Sequence, residues 1–243
     1  MIAPEDVNIY IYPDIPDYTQ EEGVILIFPS AKSITIQSMF KGYSTFDIQN
    51  NYGLEKGFHI GTILTKFVND VISDEDKLVL ATDDEGEQIQ YTLENLPFKK
   101  AVVIDSTWNQ CRSIYKDERI NTLKSVIIQN RATNFWRHQK GSPRWFLATV
   151  ECIHQFLLEV HISAWGVEQK YLNLCLIGDL KLNTAFVPRS KIITDLSEYA
   201  ETDPRCKPYN GQYDNLLYFF SFMYSLIHTE YDHENLLSYK RPF

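Results

Sequence analysis

The stretch KKAVVIDSTW, Lys99 to Trp108, runs from two lysines through an apolar run into Asp, Ser, Thr and Trp. Branched side chains pack well on a pleated surface, so Ala101 to Thr107 reads as a buried strand running out into polar residues. A tryptophan then stands where a strand ordinarily gives way to a turn. The following NQCRSIYKDERINTL has helical spacing, with Ile114, Ile120 and Leu123 as inward residues. SVIIQN, Ser125 to Asn130, is the next short apolar strand. This order predicts an α/β domain with a mostly parallel sheet flanked by helices. Ligands of such sheets bind beyond the carboxyl ends of the strands. Asp105, Ser106, Thr107 and Trp108 stand at one such end. Pro29 and Ser30 stand at another, after GVILIFPS (Gly23 to Ser30), whose unbroken apolar run suits a strand covered on both faces. The plain alternative is that Asp105 and Thr107 only form a turn and Trp108 plugs the core.

Working outward, VNIYIYP (Val7 to Pro13) reads as a first strand closed by proline. Asp76 to Leu93 reads as a strand, a solvated acidic turn and a second strand. A strong helix is expected from Pro143 to Val160, capped by Ser142, with a glycine stop in His161 to Gly166. Leu172 to Ile193 suits strand or helix equally. Glu201 to Gly211 is a loop by its Pro, Asp, Asn and Gly content, and an aromatic helix follows to His228.

At 243 residues, with 44% hydrophobic and 23% charged, the chain fits one ordinary globular domain rather than a disordered one. No apolar run reaches the roughly 20 residues that cross a bilayer, and no signal peptide is visible, so a soluble intracellular protein is expected. The 4 cysteines are scattered without a C-x-x-C pair, which predicts free thiols and no metal site. Phosphate-loop, dinucleotide-binding, nucleophile-elbow and H-E-x-x-H motifs are absent. The histidines are dispersed and read as structural or surface residues.

A net charge of -9 argues against generic, charge-driven binding of nucleic acid. One stretch departs from that balance. Arg131, Arg137, His138, Lys140 and Arg144 lie within a run that has no acidic residue, interleaved with Phe135, Trp136, Trp145 and Phe146. Cations fix phosphates and aromatic faces stack exposed bases, so Arg131, Trp136, Arg137, His138, Lys140 and Arg144 are candidate RNA contacts. A solvated surface loop over packed aromatics would have the same composition.

IDSTW after a strand, then FWRHQKGSP, then FLATVEC opening a helix, then GQYDNLLYFFSFMY, in that order, resemble the DTW-domain family, most closely its eukaryotic tRNA-uridine aminocarboxypropyltransferase type. The resemblance covers most of the chain as a single DTW domain, 1–243, with 31–90 and 165–207 as variable segments. It implies transfer of the 3-amino-3-carboxypropyl group of S-adenosylmethionine to N3 of a tRNA uridine, with methylthioadenosine as by-product. It also implies a SPOUT-like fold with a C-terminal trefoil knot, a homodimer, and a nuclear or cytoplasmic location with the nucleus favoured. A family cysteine cluster ahead of the domain has no counterpart here, which points either to truncation or to a lineage without the metal. Two other readings stay open: a methyl transferase of the same fold acting on RNA, and a tRNA-binding protein without catalysis.

The resemblance assigns roles residue by residue. Asp105 would be a proton acceptor or an anchor for the cofactor's amino group. Thr107 would bond the cofactor or fix the loop, and Trp108 would wall the adenosine or pack beneath it. Leu147, Ala148 and Thr149 would line the adenine pocket, and Pro29, Ser30 and Ser106 would border the cofactor. Arg137 would pair with the cofactor carboxylate or a phosphate. Glu151 would be a polar wall or ordinary surface.

Overall fold

The computed structural model describes residues 6–40, 90–128, 131, 133, 135–136, 146–172, 175–177, 180–181, 187 and 189–230. Strand β1 (Val24–Ile27) is buried at every position. Strand periodicity sends Val24 and Leu26 to one face and Ile25 and Ile27 to the other. With β2 (Ile34–Thr35), β3 (Lys100–Val103) and β4 (Lys124–Ile127) it forms a 4-stranded sheet of order β2-β4-β1-β3. Every pairing in that sheet is parallel, Ile25 lying between Ala101 and Lys124. All four strands therefore end at the same edge.

Helices α1 (Trp108–Ile114) and α2 (Glu118–Asn121) join β3 to β4. On this side of the sheet Ile120 and Leu123 pack against Val24 and Leu26, and the Tyr115 ring stacks on Phe28 at 4.1 Å. Helix α3 (Thr149–Trp165) covers the other face, where Phe156, Val160 and Ala164 meet Ile25, Ile27, Ile36 and Val126. Its far side is covered too: Leu158 and Ile162 pack on Val167, Tyr171 and Tyr209. Because α3 lies between two apolar layers, its polar residues Glu151, His154, Gln155, Glu159 and His161 are buried as well. Each needs a partner inside the protein, and those partners define the site.

The helix ends at Gly166, whose φ of 83° and ψ of -171° lie in a region open essentially to glycine. Beyond it β5 (Val167–Glu168) pairs in parallel with β8 (Ile192–Ile193), while β6 (Cys175–Ile177) and β7 (Leu180–Lys181) form an antiparallel pair. Short helix α4 (Gln169–Leu172) follows β5, and α5 (Tyr218–Glu230) follows a 3-10 turn at Asp214–Leu217. No helix among the described residues is long and apolar enough to cross a membrane.

The mixed α/β architecture with a parallel sheet agrees with the sequence, and several local expectations do not. Among the described residues Lys100–Val103 is an edge strand whose first residues are exposed, and the most buried strand is β1. The segment from Val7 to Pro13 is not a strand; Val7, Ile9 and Ile11 are exposed, because the sheet builds its central pairings without it. The single helix expected after Trp108 breaks in two, since the Asp117 carboxylate accepts from the Arg119 amide and starts a second helix. Helix α3 begins at Thr149 rather than Pro143, because Ala148 is extended and Phe146 and Leu147 are not helical, and it runs on to Trp165. Ser142, Pro143 and most of Asp76 to Leu93 lie outside the described residues. Leu172 to Ile193 contains strand pieces and a 3-10 turn at Arg189–Lys191.

Candidate active site

The carboxyl edge of the sheet brings the sequence candidates together from separate elements. Asp105 and Ser106 follow β3, and Pro29 and Ser30 follow the neighbouring β1. Asp105 Oδ1 accepts the Thr149 hydroxyl at 2.7 Å, joining the end of β3 to the first turn of α3. Trp108 stacks on Phe146 at 4.0 Å with ring planes 26° apart. The two segments that carry the Asp-Ser-Thr-Trp and Leu-Ala-Thr residues are thus joined by one hydrogen bond and one aromatic pair. Asp105 is exposed, so its carboxylate is open to a ligand.

Thr107 has a local task. Its hydroxyl donates to Gln110 Oε1 at 2.8 Å and accepts from the Gln110 amide, while Gln110 Oε1 also takes the Thr107 amide. This reciprocal cap starts α1 and leaves Thr107 fixing the loop. Ser30 is similarly engaged. Ser33 Oγ donates to the Phe28 carbonyl at 2.7 Å, so it accepts from both the amide and the hydroxyl of Ser30. Pro29 and Ser30 are half-buried after β1.

Behind this edge lies a buried polar chain. Glu151 is fully buried, and its Oε2 accepts the Ala148 amide at 2.9 Å and the Thr133 hydroxyl at 2.6 Å. Ala148 has no side-chain oxygen, so the cap of α3 rests on Glu151 alone. Arg131 Nε lies 3.9 Å from Glu151 Oε1, and Arg131 Nη1 donates to His154 Nδ1 at 3.0 Å. A guanidinium only donates, so His154 carries its proton on Nε2 and gives it to Asp214 Oδ1 at 3.0 Å. The hydroxyls of Tyr209 and Tyr171 complete the Asp214 carboxylate at 2.9 and 2.6 Å. Burial lowers the Arg131 pKa, opposed by the Glu151 and Asp214 charges, and burial raises that of Tyr209 and Tyr171.

Three further groups, His161, Cys152 and Cys111, have pKa values shifted by burial. His161 is buried, with Nε2 donating to the Lys207 carbonyl at 2.7 Å and Nδ1 accepting from Tyr213, and burial pushes its pKa down to about 4. Burial raises the Cys152 thiol to about 12, with the Glu159 charge adding to the shift, and burial also raises Cys111. These are inert thiols. Among the described residues no group of three or more His, Cys, Asp or Glu side chains is placed to hold a metal ion.

The DTW domain profile matches residues 12–228. The chain belongs to the DTW-domain family. Among curated relatives, the rat and human proteins called tRNA-uridine aminocarboxypropyltransferase 1 are each 34% identical over 233 residues. The Xenopus tropicalis protein of that name is 31% identical over 229 residues. Each alignment covers 93% of this chain but only 58% of the mammalian proteins and 60% of the frog protein, so this chain spans less than two thirds of their length. No solved structure matches.

Within this DTW domain the expected basic stretch divides. Arg131 is not displayed to an RNA: its side chain is 8% exposed and committed to Glu151 and His154. Trp136 is half-buried against Phe135 and Phe220. Arg137, His138, Lys140 and Arg144 lie outside the described residues. His154 and Asp214 were not legible as site neighbours; Glu151, expected as a polar wall or ordinary surface, is buried instead, three residues past Ala148, the spacing of a helix-capping carboxylate.

Proposed function

We propose that this DTW domain is an S-adenosylmethionine-dependent tRNA-uridine aminocarboxypropyltransferase, moving the 3-amino-3-carboxypropyl group to N3 of a tRNA uridine and releasing methylthioadenosine. The observation that carries the reading is the Thr149–Asp105 bond with the Trp108–Phe146 stack, which joins two family segments at the carboxyl edge of a parallel sheet. The names of the relatives supply the reaction. A SPOUT-like arrangement with a C-terminal knot is part of this proposal.

The residues present fit the donor. When bound, S-adenosylmethionine supplies a carbon already activated by its sulfonium leaving group. Asp105 is exposed and offers a carboxylate to an ammonium by a charge-assisted hydrogen bond. Thr149 holds that carboxylate from one side and fixes its direction. The Trp108–Phe146 pair provides an apolar wall suited to an adenine face. The exposed carboxylate, aimed by the Thr149 hydroxyl, supports the anchoring role. Alignment of donor and uridine then supplies much of the rate.

The test is turnover of Asp105→Ala and Thr149→Val with tRNA, alongside thermal unfolding. Asp105→Ala is expected to remove transfer while remaining folded, and Thr149→Val to raise the donor KM more modestly. A folded Asp105→Ala protein with near-normal turnover would take Asp105 out of the site.

A further inference from the structure

We propose that Glu151 and Arg131 form a buried clamp that positions the Phe146–Thr149 segment for the donor; the proposal rests on the functional reading above. One oxygen of Glu151 holds two chain segments: the Ala148 amide ahead of α3 and the Thr133 hydroxyl beyond β4. Thr149, the next residue after Ala148, donates to Asp105. A displacement of Ala148 would therefore carry the Thr149 hydroxyl away from the Asp105 carboxylate.

Stability does not explain the arrangement. A buried ion pair gains little over an apolar pair of similar volume, because both charges must leave water. This one is loose, at 3.9 Å, and Arg131 Nε finds no hydrogen-bond partner. What the arrangement does supply is direction. The Thr133 hydroxyl and the Ala148 amide each have one proton to give, and a single fully buried oxygen takes both. Arg131 in turn is held by His154, and His154 by Asp214, so the clamp is braced from the far side of α3. Arg131 is accordingly a positioning residue and makes no contact with tRNA phosphate.

The variants are Glu151→Ala, Glu151→Gln, Thr133→Val and Arg131→Met. The readouts are donor KM and kcat, S-adenosylmethionine binding by calorimetry, amide exchange at Ala148 in donor-free protein, and the salt dependence of tRNA binding. Glu151→Ala is expected to raise the donor KM and Kd about tenfold or more, as loss of a charged buried acceptor implies, and to expose the Ala148 amide to exchange. A glutamine oxygen accepts both bonds while its NH2 replaces the charge facing Arg131, so Glu151→Gln is expected to keep Ala148 protected with a donor KM between those of wild type and Glu151→Ala. Thr133→Val, which spares the Ala148 bond, carries the test if Glu151→Ala does not fold, with donor KM raised about threefold. Arg131→Met is expected to weaken donor binding with an unchanged salt slope; a phosphate contact would reduce that slope by about one unit. Wild-type donor KM and Ala148 protection in Glu151→Ala, or in Thr133→Val if it alone folds, would overturn the clamp. So would Glu151→Gln as damaged as Glu151→Ala, or a reduced slope in Arg131→Met. Wild-type protein that binds no donor would instead overturn the functional reading.

Discussion

Replacing Asp214 by alanine removes the acceptor that ends the buried polar chain, and the cost can be worked from its three partners. Asp214 accepts from His154 Nε2 at 3.0 Å, from Tyr209 at 2.9 Å and from Tyr171 at 2.6 Å. His154 and Tyr209 are fully buried and Tyr171 is 3% exposed, so the alanine variant strands three donors away from water. Each stranded donor costs about 1–3 kcal/mol, and neighbours in one network do not add in full. The Asp214 side chain is itself 26% exposed, which lets water reach part of the gap. The expected loss is about 3–5 kcal/mol, a large share of the roughly 5–15 kcal/mol that holds a domain. For a chain of this length that is a fall in Tm on the order of 10 °C. Urea unfolding gives the free energy directly, and a Tyr171→Phe companion tests the pairing. Tyr171→Phe is expected to cost about 1–2 kcal/mol in the wild type and almost nothing in the Asp214→Ala background. An Asp214→Ala protein within about 1 kcal/mol of wild type, or a Tyr171→Phe cost equal in both backgrounds, would refute the network.

Three further outcomes are expected. His161 has a folded pKa of about 4 against an ordinary 6.5, so between those values the unfolded chain binds a proton that the folded chain does not. Stability is full above about pH 6.5 and falls by up to roughly 3 kcal/mol as pH drops toward 4, and urea midpoints across that window should lose this part of their slope in His161→Gln. Gly166→Ala is expected to lose about 2 kcal/mol or more in urea unfolding, because φ is 83° and a Cβ would stand 2.7 Å from the Lys191 carbonyl oxygen; a neutral result would contradict the backbone described here. Arg137→Ala and Lys140→Ala are each expected to reduce the slope of log tRNA affinity against log salt by about one unit, and unchanged slopes would remove them from the RNA interface.

Legibility in the sequence followed physical range. β1 was readable because four consecutive apolar residues are what a strand covered on both faces requires. Asp105 to Trp108 was readable as a strand end, and Thr149 as a residue of the helix that the sequence starts too early, at Pro143; the hydrogen bond between Asp105 and Thr149 joins residues far apart in the chain. Arg131 shows the converse. Its basic, aromatic surroundings suggested a surface, while the partner that turns it inward, Glu151, looks in sequence like any helix glutamate. The Val7 to Pro13 segment failed for a related reason: β propensity reports a fit to a pleated surface, and the edge that would receive it is set by the whole sheet.

The central claim is the transfer of the aminocarboxypropyl group, and it is tested most directly by supplying donor labelled separately in its methyl and aminocarboxypropyl carbons. The chain is incubated with unmodified tRNA, the tRNA is digested to nucleosides, and nucleosides and small products are resolved by mass spectrometry. The account predicts aminocarboxypropyl label on a uridine with an equal yield of methylthioadenosine. Methyl label on the RNA with S-adenosylhomocysteine as by-product, or tRNA bound without any label transferred, would contradict it.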